Sequence, residues 1–464
     1  MSTHNTFNID EPSIWETLKA KSDQDAGHIR AILANARELK GIDVDEIAAL
    51  THVSDPELLS ELFETARYVK DTIYGKRLVI FAPLYISNLC ANECTYCAFR
   101  ARNKEVQRRA LSQEEIAQET RIIIDQGHKR VLLVAGESYP KRGFEYVLDA
   151  IDTVYSVKHD HGEIRRVNVN IAPLKVEEFK LLHEAKIGTY QLFQETYHRE
   201  TYGQVHLSGK KADYDWRLHA IDRAMAAGID DCGVGILFGL FDWRFEMLAL
   251  MQHIRHLESA FGVGPHTISV PRLEPATGSK IAEQPPHAVS DIDFRKIVAI
   301  LRIAVPYTGI IMSTRETPNL RRETFALGVS QISAGSRTNP GGYGDNIKED
   351  MSQFSLGDHR SLDEVICDVA SLGYVPSFCT GCYRLGRTGG DFMDLAKPGE
   401  IKHHCDPNAA STFQEYLEDY GTEASRAIGE KTIQEFIVNM DELAGKRSRV
   451  MVDKVKKGKR DVYC

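Results

Sequence analysis

The sequence has no run of roughly 18 uninterrupted apolar residues, the length a membrane span needs. Its first residues, MSTHNTFNIDEPSIWETLKAK, are polar and hold no apolar stretch of signal-peptide length. Both absences predict a cytoplasmic chain without a membrane partner. Positive charge is not in excess either: 57 Lys and Arg stand against 66 Asp and Glu, a formal net charge of −9. That balance argues against a protein built to coat nucleic acid, and none is expected as a partner. Hydrophobic residues at 42% and charged residues at 27% of 464 are ordinary for a globular protein. They exclude a disordered chain, a collagen-like fibre and a small disulfide scaffold. Nine cysteines, an odd number in a reducing compartment, fit a disulfide framework poorly. Three lie within eight residues (Cys90, Cys94, Cys97), three lie late (Cys379, Cys382, Cys405), and Cys232, Cys367 and Cys464 stand alone. Cys232 and Cys367 sit in apolar stretches and read as small buried hydrophobes.

Residues 1–75 read as helices, in SIWETLKAK, AGHIRAILANARELK and DPELLSELFETARYVKDTIYG. A regular alternation follows. Runs of β-branched or aromatic residues at 77–87, 130–137, 166–173, 189–196, 231–240, 266–275, 309–316 and 330–337 are separated by helix-period segments. Eight strands alternating with helices over about 260 residues predict an α/β fold, a (β/α)8 TIM-like barrel. A doubly wound sheet competes, but no GxGxxG follows the first strand to support a dinucleotide fold. The chain is thus expected to divide into a helical N-terminal segment (1–75), a barrel (76–340) and a helical C-terminal extension (341–464). Reactive groups of such barrels gather at the C-terminal strand ends. Cys90, Cys94 and Cys97 directly follow the first strand, and Glu137, Glu195, Arg315 and Ser336 are expected to end others. All would converge on one mouth.

Cys90-x3-Cys94-x2-Cys97 supplies three thiolates on a short loop, with Tyr96 just before the third. A structural zinc site usually takes four ligands in two pairs, and no fourth Cys or His is near in sequence. An iron–sulfur cluster held by three cysteines leaves one iron open to a reactant. The spacing, the aromatic and the position after the first strand resemble the CxxxCxΦC loop of the radical S-adenosylmethionine (SAM) superfamily. That resemblance implies a 4Fe-4S cluster on Cys90, Cys94 and Cys97 whose open iron binds the amino and carboxylate groups of SAM. An electron from the cluster then cleaves the sulfonium to a 5′-deoxyadenosyl radical. Gly136-Glu137 in AGESYP is similar to the superfamily's GGE-type element that holds the SAM amino group, with Ala135 where glycine is common. By the same resemblance Tyr96, Glu195 and His198 contact SAM, and Arg217 meets its carboxylate. On the residues alone, a Glu or Arg near a helix start is as readily a solvated surface group.

The late cysteines read Cys379-x2-Cys382, then 22 residues, then Cys405. With His403 and His404 beside Cys405, the residues alone also allow a zinc site. The CTGC-x22-C arrangement beyond such a barrel, with the helical lead and the overall length, resembles the HydG family, the tyrosine lyases that mature iron-iron hydrogenase. The resemblance spans nearly the whole chain. It implies a second, auxiliary 4Fe-4S cluster on Cys379, Cys382 and Cys405. An additional dangler iron, bridged through a cysteine, would be held by His266 of PHTISV. His266 begins the sixth strand, at the end that faces away from the usual mouth, so a tunnel through the barrel is expected.

Hydrogen abstraction from an amino acid needs a fixed carboxylate, and the planar fork of Arg is the usual clamp. Arg315 in STRET and Ser336 in SAGSRT match the carboxylate-binding positions of aromatic amino-acid radical enzymes, whereas Arg337 would face the other side of its strand. The resemblance implies cleavage of L-tyrosine at Cα–Cβ to p-cresol and dehydroglycine. Dehydroglycine would then yield CO and cyanide, delivered as an Fe(CO)(CN) species for H-cluster maturation. A reductant such as ferredoxin or flavodoxin and a hydrogenase maturation scaffold protein are the implied partners. Two alternatives stay open: 2-iminoacetate synthase, the thiamine-pathway tyrosine lyase, and a non-catalytic two-cluster electron carrier. The final stretch, KRSRVMVDKVKKGKRDVYC, has eight basic residues against two acidic ones and reads as a solvated tail. A nucleic-acid-modifying radical enzyme using that tail is the third alternative.

Overall fold

The computed structural model describes residues 7–140, 142–344 and 351–464. Eight parallel strands form a closed ring: β1 (Arg77–Ser87), β2 (Arg130–Ala135), β3 (Arg166–Asn170), β4 (Tyr190–Glu195), β5 (Cys232–Ile236), β6 (Thr267–Ser269), β7 (Gly309–Met312) and β8 (Val329–Ser333). Each pairs with the next, and β8 returns to β1 through Val79↔Gln331, Ile80↔Ile332 and Phe81↔Ser333. The (β/α)8 barrel expected from the alternation is present. Parallel barrel strands are covered on both faces, which is why β5 to β8 contain no exposed residue. A ninth strand, β9 (Val375–Ser377), pairs in parallel with Arg77–Val79 at the start of β1.

Four helices precede the barrel: α1 (Glu11–Ala20), α2 (Ala26–Ala36), α3 (Val44–Thr51) and α4 (Pro56–Tyr74). Leu58, Leu62, Ala66, Val69 and Ile73 of α4 recur at helical spacing and are buried. That stripe lies against the barrel helices Asp291–Ala304 and Pro318–Leu327, and α1 lies against Trp243–Phe261. The sequence reading missed α3. A capping box between Asp43 and Glu46 starts it, but its five consecutive buried residues, Ile47 to Thr51, obscure any period. One apolar core runs from these helices through the barrel into the C-terminal helices. A smaller one, around Tyr85, Tyr96, Phe99 and Leu237, sits at the C-terminal strand ends.

Several strands stop sooner than expected: β2 at Ala135, β6 at Ser269, β7 at Met312 and β8 at Ser333. A ladder persists only while its neighbour continues alongside, and Pro271 and Pro275, lacking N–H groups, cannot extend β6. Glu137, Arg315 and Ser336 therefore sit on loops beyond their strands, and only Glu195 ends one. Cys232 is buried as expected, but Cys367 is only half-buried. The basic tail is not merely solvated. Helix Glu442–Lys456 buries Ser448, Met451 and Val455, Arg460 pairs with Asp419 at 2.6 Å, and Arg384 bonds Asp461 at 2.8 Å. Among the described residues no helix is long and apolar enough to cross a membrane.

Between β8 and helix Leu362–Ser371, residues 351–360 run as a strap along the C-terminal strand ends. Gly357 donates to Thr314 O at 2.9 Å, and Ser355 to Pro275 O at 2.8 Å. Asp358 anchors the strap through a fully buried ion pair with Arg321, and Arg360 reaches the same carboxylate at 2.7 Å. Removing one member of such a pair leaves a charge that water cannot reach. Asp358→Ala is expected to destabilise the fold by about 3–5 kcal/mol, read as a lowered midpoint in denaturant unfolding.

Candidate active site and second cysteine centre

Cys90, Cys94 and Cys97 lie on the loop after β1 and line a cavity of about 1360 Å³, its open mouth included. Tyr96, Gly136, Glu137, Glu195 and Arg217 line the same cavity, as do Arg315 and Ser336. The fit of Gly136 against the cysteine loop is close. Its N–H donates to Ser87 O at 2.9 Å, and a Cβ would stand 2.3 Å from Leu89 O. Glycine is required here by the approach of two backbones.

The polar wall of the cavity balances two cations with two anions. Glu137 pairs with Arg217 at 2.8 Å and accepts from Asn92 Nδ2 at 2.7 Å. Lys211 Nζ donates to Glu195 at 2.6 Å, and Arg217 lies 3.7 Å from that carboxylate. Burial would push Glu137 up, but Arg217 and Lys211 outweigh it and hold its carboxyl below the usual range. Glu195 takes a φ of +74°, unusual for a residue with a Cβ. Its ion pairs hold this costly conformation at the strand end.

The donor set fits an iron–sulfur cluster. Three thiols on one loop face the cavity, and Phe99 N–H donates to Cys97 Sγ at 3.4 Å. Burial pushes all three thiols above their usual range, so binding metal must release protons. Among the described residues no three Cys, His, Asp or Glu side chains close around a single metal-ion position, as a mononuclear zinc site requires. Across the cavity the Arg315 guanidinium lies 3.2 Å from the Phe354 ring centre. Among the described residues its side chain makes one long hydrogen bond, to Arg272 O at 3.5 Å. Ser336 Oγ is buried with no hydrogen-bond partner among the described residues. Unmet donors of this kind are what a carboxylate satisfies.

His198 lies elsewhere. It caps helix Arg199–Val205, its ring stacks on Phe241 at 3.7 Å, and Nε2 faces Glu11 of α1 at 3.8 Å. Of the residues that the resemblance assigns to SAM, His198 is the one that does not line this cavity. Arg337 is exposed, its Nη1 donating to Ser336 O at 3.0 Å. Lys211 and Asn92 are site residues that sequence reading missed: Lys211 sits in a polar turn that carries no motif, and Asn92 is one of the unspecified positions between Cys90 and Cys94.

The late cysteines form a second centre at the opposite end of the barrel. Cys379 follows β9, Cys382 lies in the short helix Gly381–Arg384, and Cys405 lies in the first turn of helix Lys402–Asp419. All three line a cavity of about 620 Å³ together with His266. The His266 N–H donates to Cys232 O at 2.8 Å, and its Nε2 is 3.3 Å from the Tyr383 hydroxyl. Burial, against Asp231, keeps His266 below its usual range, so the neutral ring offers a lone pair to metal. A hydrogen bond with Cys405 pulls the Cys382 thiol down against the effect of burial, aided by Arg387 and Arg77, while the same bond and burial push the Cys405 thiol up and burial raises Cys379. Three thiols and a neutral imidazole are a donor set that can hold iron–sulfur or zinc. His403 and His404 turn away, to Asp441 and Arg387, each at 3.1 Å. The cavities are close neighbours. Phe81 and Ser333 line the upper one and Val79 and Gln331 the lower. Residues two apart on a strand are successive on one face, so adjacent inward layers line the two cavities.

Gly136→Ala is expected to cost about 1–3 kcal/mol through overpacking and to lower the iron retained per chain. Gly203→Ala, where a Cβ meets nothing within 4 Å, is the control expected to leave both unchanged or slightly improved. Thermal unfolding and iron analysis read both.

Comparison with known proteins agrees with this layout. Residues 84–252 match the radical SAM superfamily, and residues 269–375 match the biotin and thiamin synthesis associated domain. The 2-iminoacetate synthase of Escherichia coli (strain K12) is 31% identical over 374 residues, 80% of this chain and 96% of that protein. A crystal structure of HydG, a maturase of the FeFe-hydrogenase, superposes with a TM-score of 0.95 at 47% identity, over 98% of this chain and 99% of that one. HydG from Carboxydothermus hydrogenoformans superposes with a TM-score of 0.83 at 42% identity, over 95% of this chain and 97% of that one. With 2-iminoacetate synthase matched along nearly its whole length and HydG matched end to end, the chain belongs to the radical SAM enzymes of the HydG type.

Proposed function

We propose that the enzyme cleaves L-tyrosine at Cα–Cβ to p-cresol and dehydroglycine at the upper cavity. The lower centre then converts dehydroglycine to CO and cyanide, which leave on an iron carried as cargo to the hydrogenase maturation scaffold. The observation that carries this reading is the lower cavity. Cys379, Cys382, Cys405 and His266 line it, directly below the upper cavity of the same barrel. In this reading residues 76–340 perform the cleavage and 341–464 supply the cysteines of the second step, with 1–75 bracing the outer helices. The same two-ended arrangement supports a tunnel between the centres.

When bound, the 4Fe-4S cluster on Cys90, Cys94 and Cys97 supplies the electron that splits SAM to an adenosyl radical, drawn from a reductant such as ferredoxin or flavodoxin. The amino-acid end of SAM is a zwitterion. Glu137 and Arg217, paired at 2.8 Å, present one anion and one cation side by side to it. Arg315 and Ser336 fix the tyrosine carboxylate through the donors they leave unmet. Phe81, Val134, Phe193 and Leu237 give the cavity apolar walls that exclude water from a reactive species.

A second reading, 2-iminoacetate synthase, draws on the 31% identity and uses the same mouth. Against it, the HydG match extends over 98% of this chain where the synthase match covers 80%, and that reaction has no use for the lower cavity. The double variant Cys379→Ala/Cys382→Ala decides between them. It is expected to keep making p-cresol while losing iron-bound CO, and normal CO and cyanide from it would defeat the two-centre reading. Wild-type protein reconstituted anaerobically with SAM and tyrosine that makes neither p-cresol nor 5′-deoxyadenosine would favour an electron carrier instead. Arg315→Lys, which keeps the charge and loses the fork, is expected to lower kcat/KM for tyrosine roughly 10- to 100-fold, the worth of a charge-assisted hydrogen bond.

A further inference from the structure

After β8 the chain returns to the mouth as the strap, and there Gln353 reaches the first cysteine triplet. Its backbone is held on both sides: its N–H donates to Thr338 O at 2.9 Å, and its carbonyl accepts from Ala98 N–H at 3.4 Å. The side-chain amide is oriented as well. The Tyr85 hydroxyl donates to Oε1 at 2.7 Å, which leaves Nε2 facing Cys97 Sγ at 3.7 Å. The next residue, Phe354, carries the Arg315 guanidinium on its ring. Two adjacent strap residues thus touch a cysteine of the loop and the carboxylate clamp.

We propose that Gln353 is a positioning residue for the SAM-binding cluster, donating an N–H···S hydrogen bond to Cys97 that makes the cluster easier to reduce. The proposal rests on the reading of Cys90, Cys94 and Cys97 as that cluster's ligands. Adding an electron places negative charge on the sulfurs. A donor at the thiolate stabilises the reduced form more than the oxidised one and raises the potential. Phe99 N–H also donates to Cys97, but it belongs to the loop backbone and stays in every side-chain variant. Gln353 comes from outside the barrel, 256 positions along the chain, and its contribution can be removed alone. No bond is made or broken in this role.

The test is an EPR-monitored redox titration of the full-length reconstituted protein, the SAM-responsive signal being followed beside the auxiliary one. Gln353→Leu removes the donor, Gln353→Asn is too short to reach the sulfur, and Gln353→Glu replaces the donor with a carboxylate beside the thiolate. With iron content unchanged, the Leu and Asn variants are expected to show a ratio of reduced to oxidised cluster about three- to tenfold lower at a fixed potential, the factor of one hydrogen bond. The Glu variant is expected to fall further, and the auxiliary signal to stay in place in all three. Leu and Glu variants that titrate with the wild type overturn the proposal. Cys97→Ala separates the two failures: if it keeps the SAM-responsive signal, the cysteine reading is the part that is wrong.

Discussion

The pairing of β1 with β8 turns a sheet into a ring, and both cavities depend on its register. Only three residue pairs join the two strands, Val79↔Gln331, Ile80↔Ile332 and Phe81↔Ser333. The alternate residues of this seam, Val79 with Gln331 and Phe81 with Ser333, line the lower and upper cavities respectively. A slip of one residue would turn that set outward and send Ile80 and Ile332 into the barrel. The same strand continues past the seam to pair with β2 and then delivers the cysteine loop. Its first residues, Arg77 to Val79, receive β9 and with it the chain that carries Cys379. One strand of 11 residues therefore sets the height of both cysteine groups in the barrel.

The two ends handle buried charge differently. At the mouth, Glu137 and Glu195 against Arg217 and Lys211 form a quartet without net charge, which a zwitterion joins without leaving a charge uncompensated. At the lower end the first residues of β1, β2 and β3 are all arginines, Arg77, Arg130 and Arg166, and all three are buried. Arg130 Nη2 donates to Cys379 O at 2.7 Å, and Arg166 lies over the Tyr383 ring. Here the cations face thiols, and Arg77 is among the groups that pull the Cys382 thiol down. A chain of net charge −9 thus gathers three buried arginines around its late cysteines, one of them paired with Asp231.

What could be read from the sequence was whatever short-range spacing encodes. The two cysteine patterns are local, and parallel barrel strands announce themselves as apolar runs because both their faces are covered. Strand ends are not local. Whether Arg315 ends β7 or stands in the loop beyond it depends on how far β6 and β8 run beside it. His198 shows the same limit in another form. The resemblance placed it beside SAM with Glu195, three residues earlier, but its ring stacks on Phe241, outside the lining of the upper cavity. Gln353 and Lys211 carry no pattern at all. Each becomes a site residue only when distant loops meet, and Arg460 likewise finds Asp419 41 positions away across two helices.

His266 is where a general rule about barrels and the particular residue pull apart. The N-terminal strand ends of such folds ordinarily serve stability, with the chemistry at the other end. Its position at the head of β6 would make it a structural histidine, were the end left as helices and turns. β9 alters that end. By adding to β1 it brings Cys379 under the ring, and helix Lys402–Asp419 then places Cys405 against Cys382. Tyr383, beside the second of these cysteines, meets the ring nitrogen of His266. The histidine needs no displacement from its strand to face this group, because the Cys232 carbonyl already fixes its backbone in register with β5. A barrel with one mouth acquires a second cysteine-lined end through three residues of added strand, and the strands that position the first group also position the second.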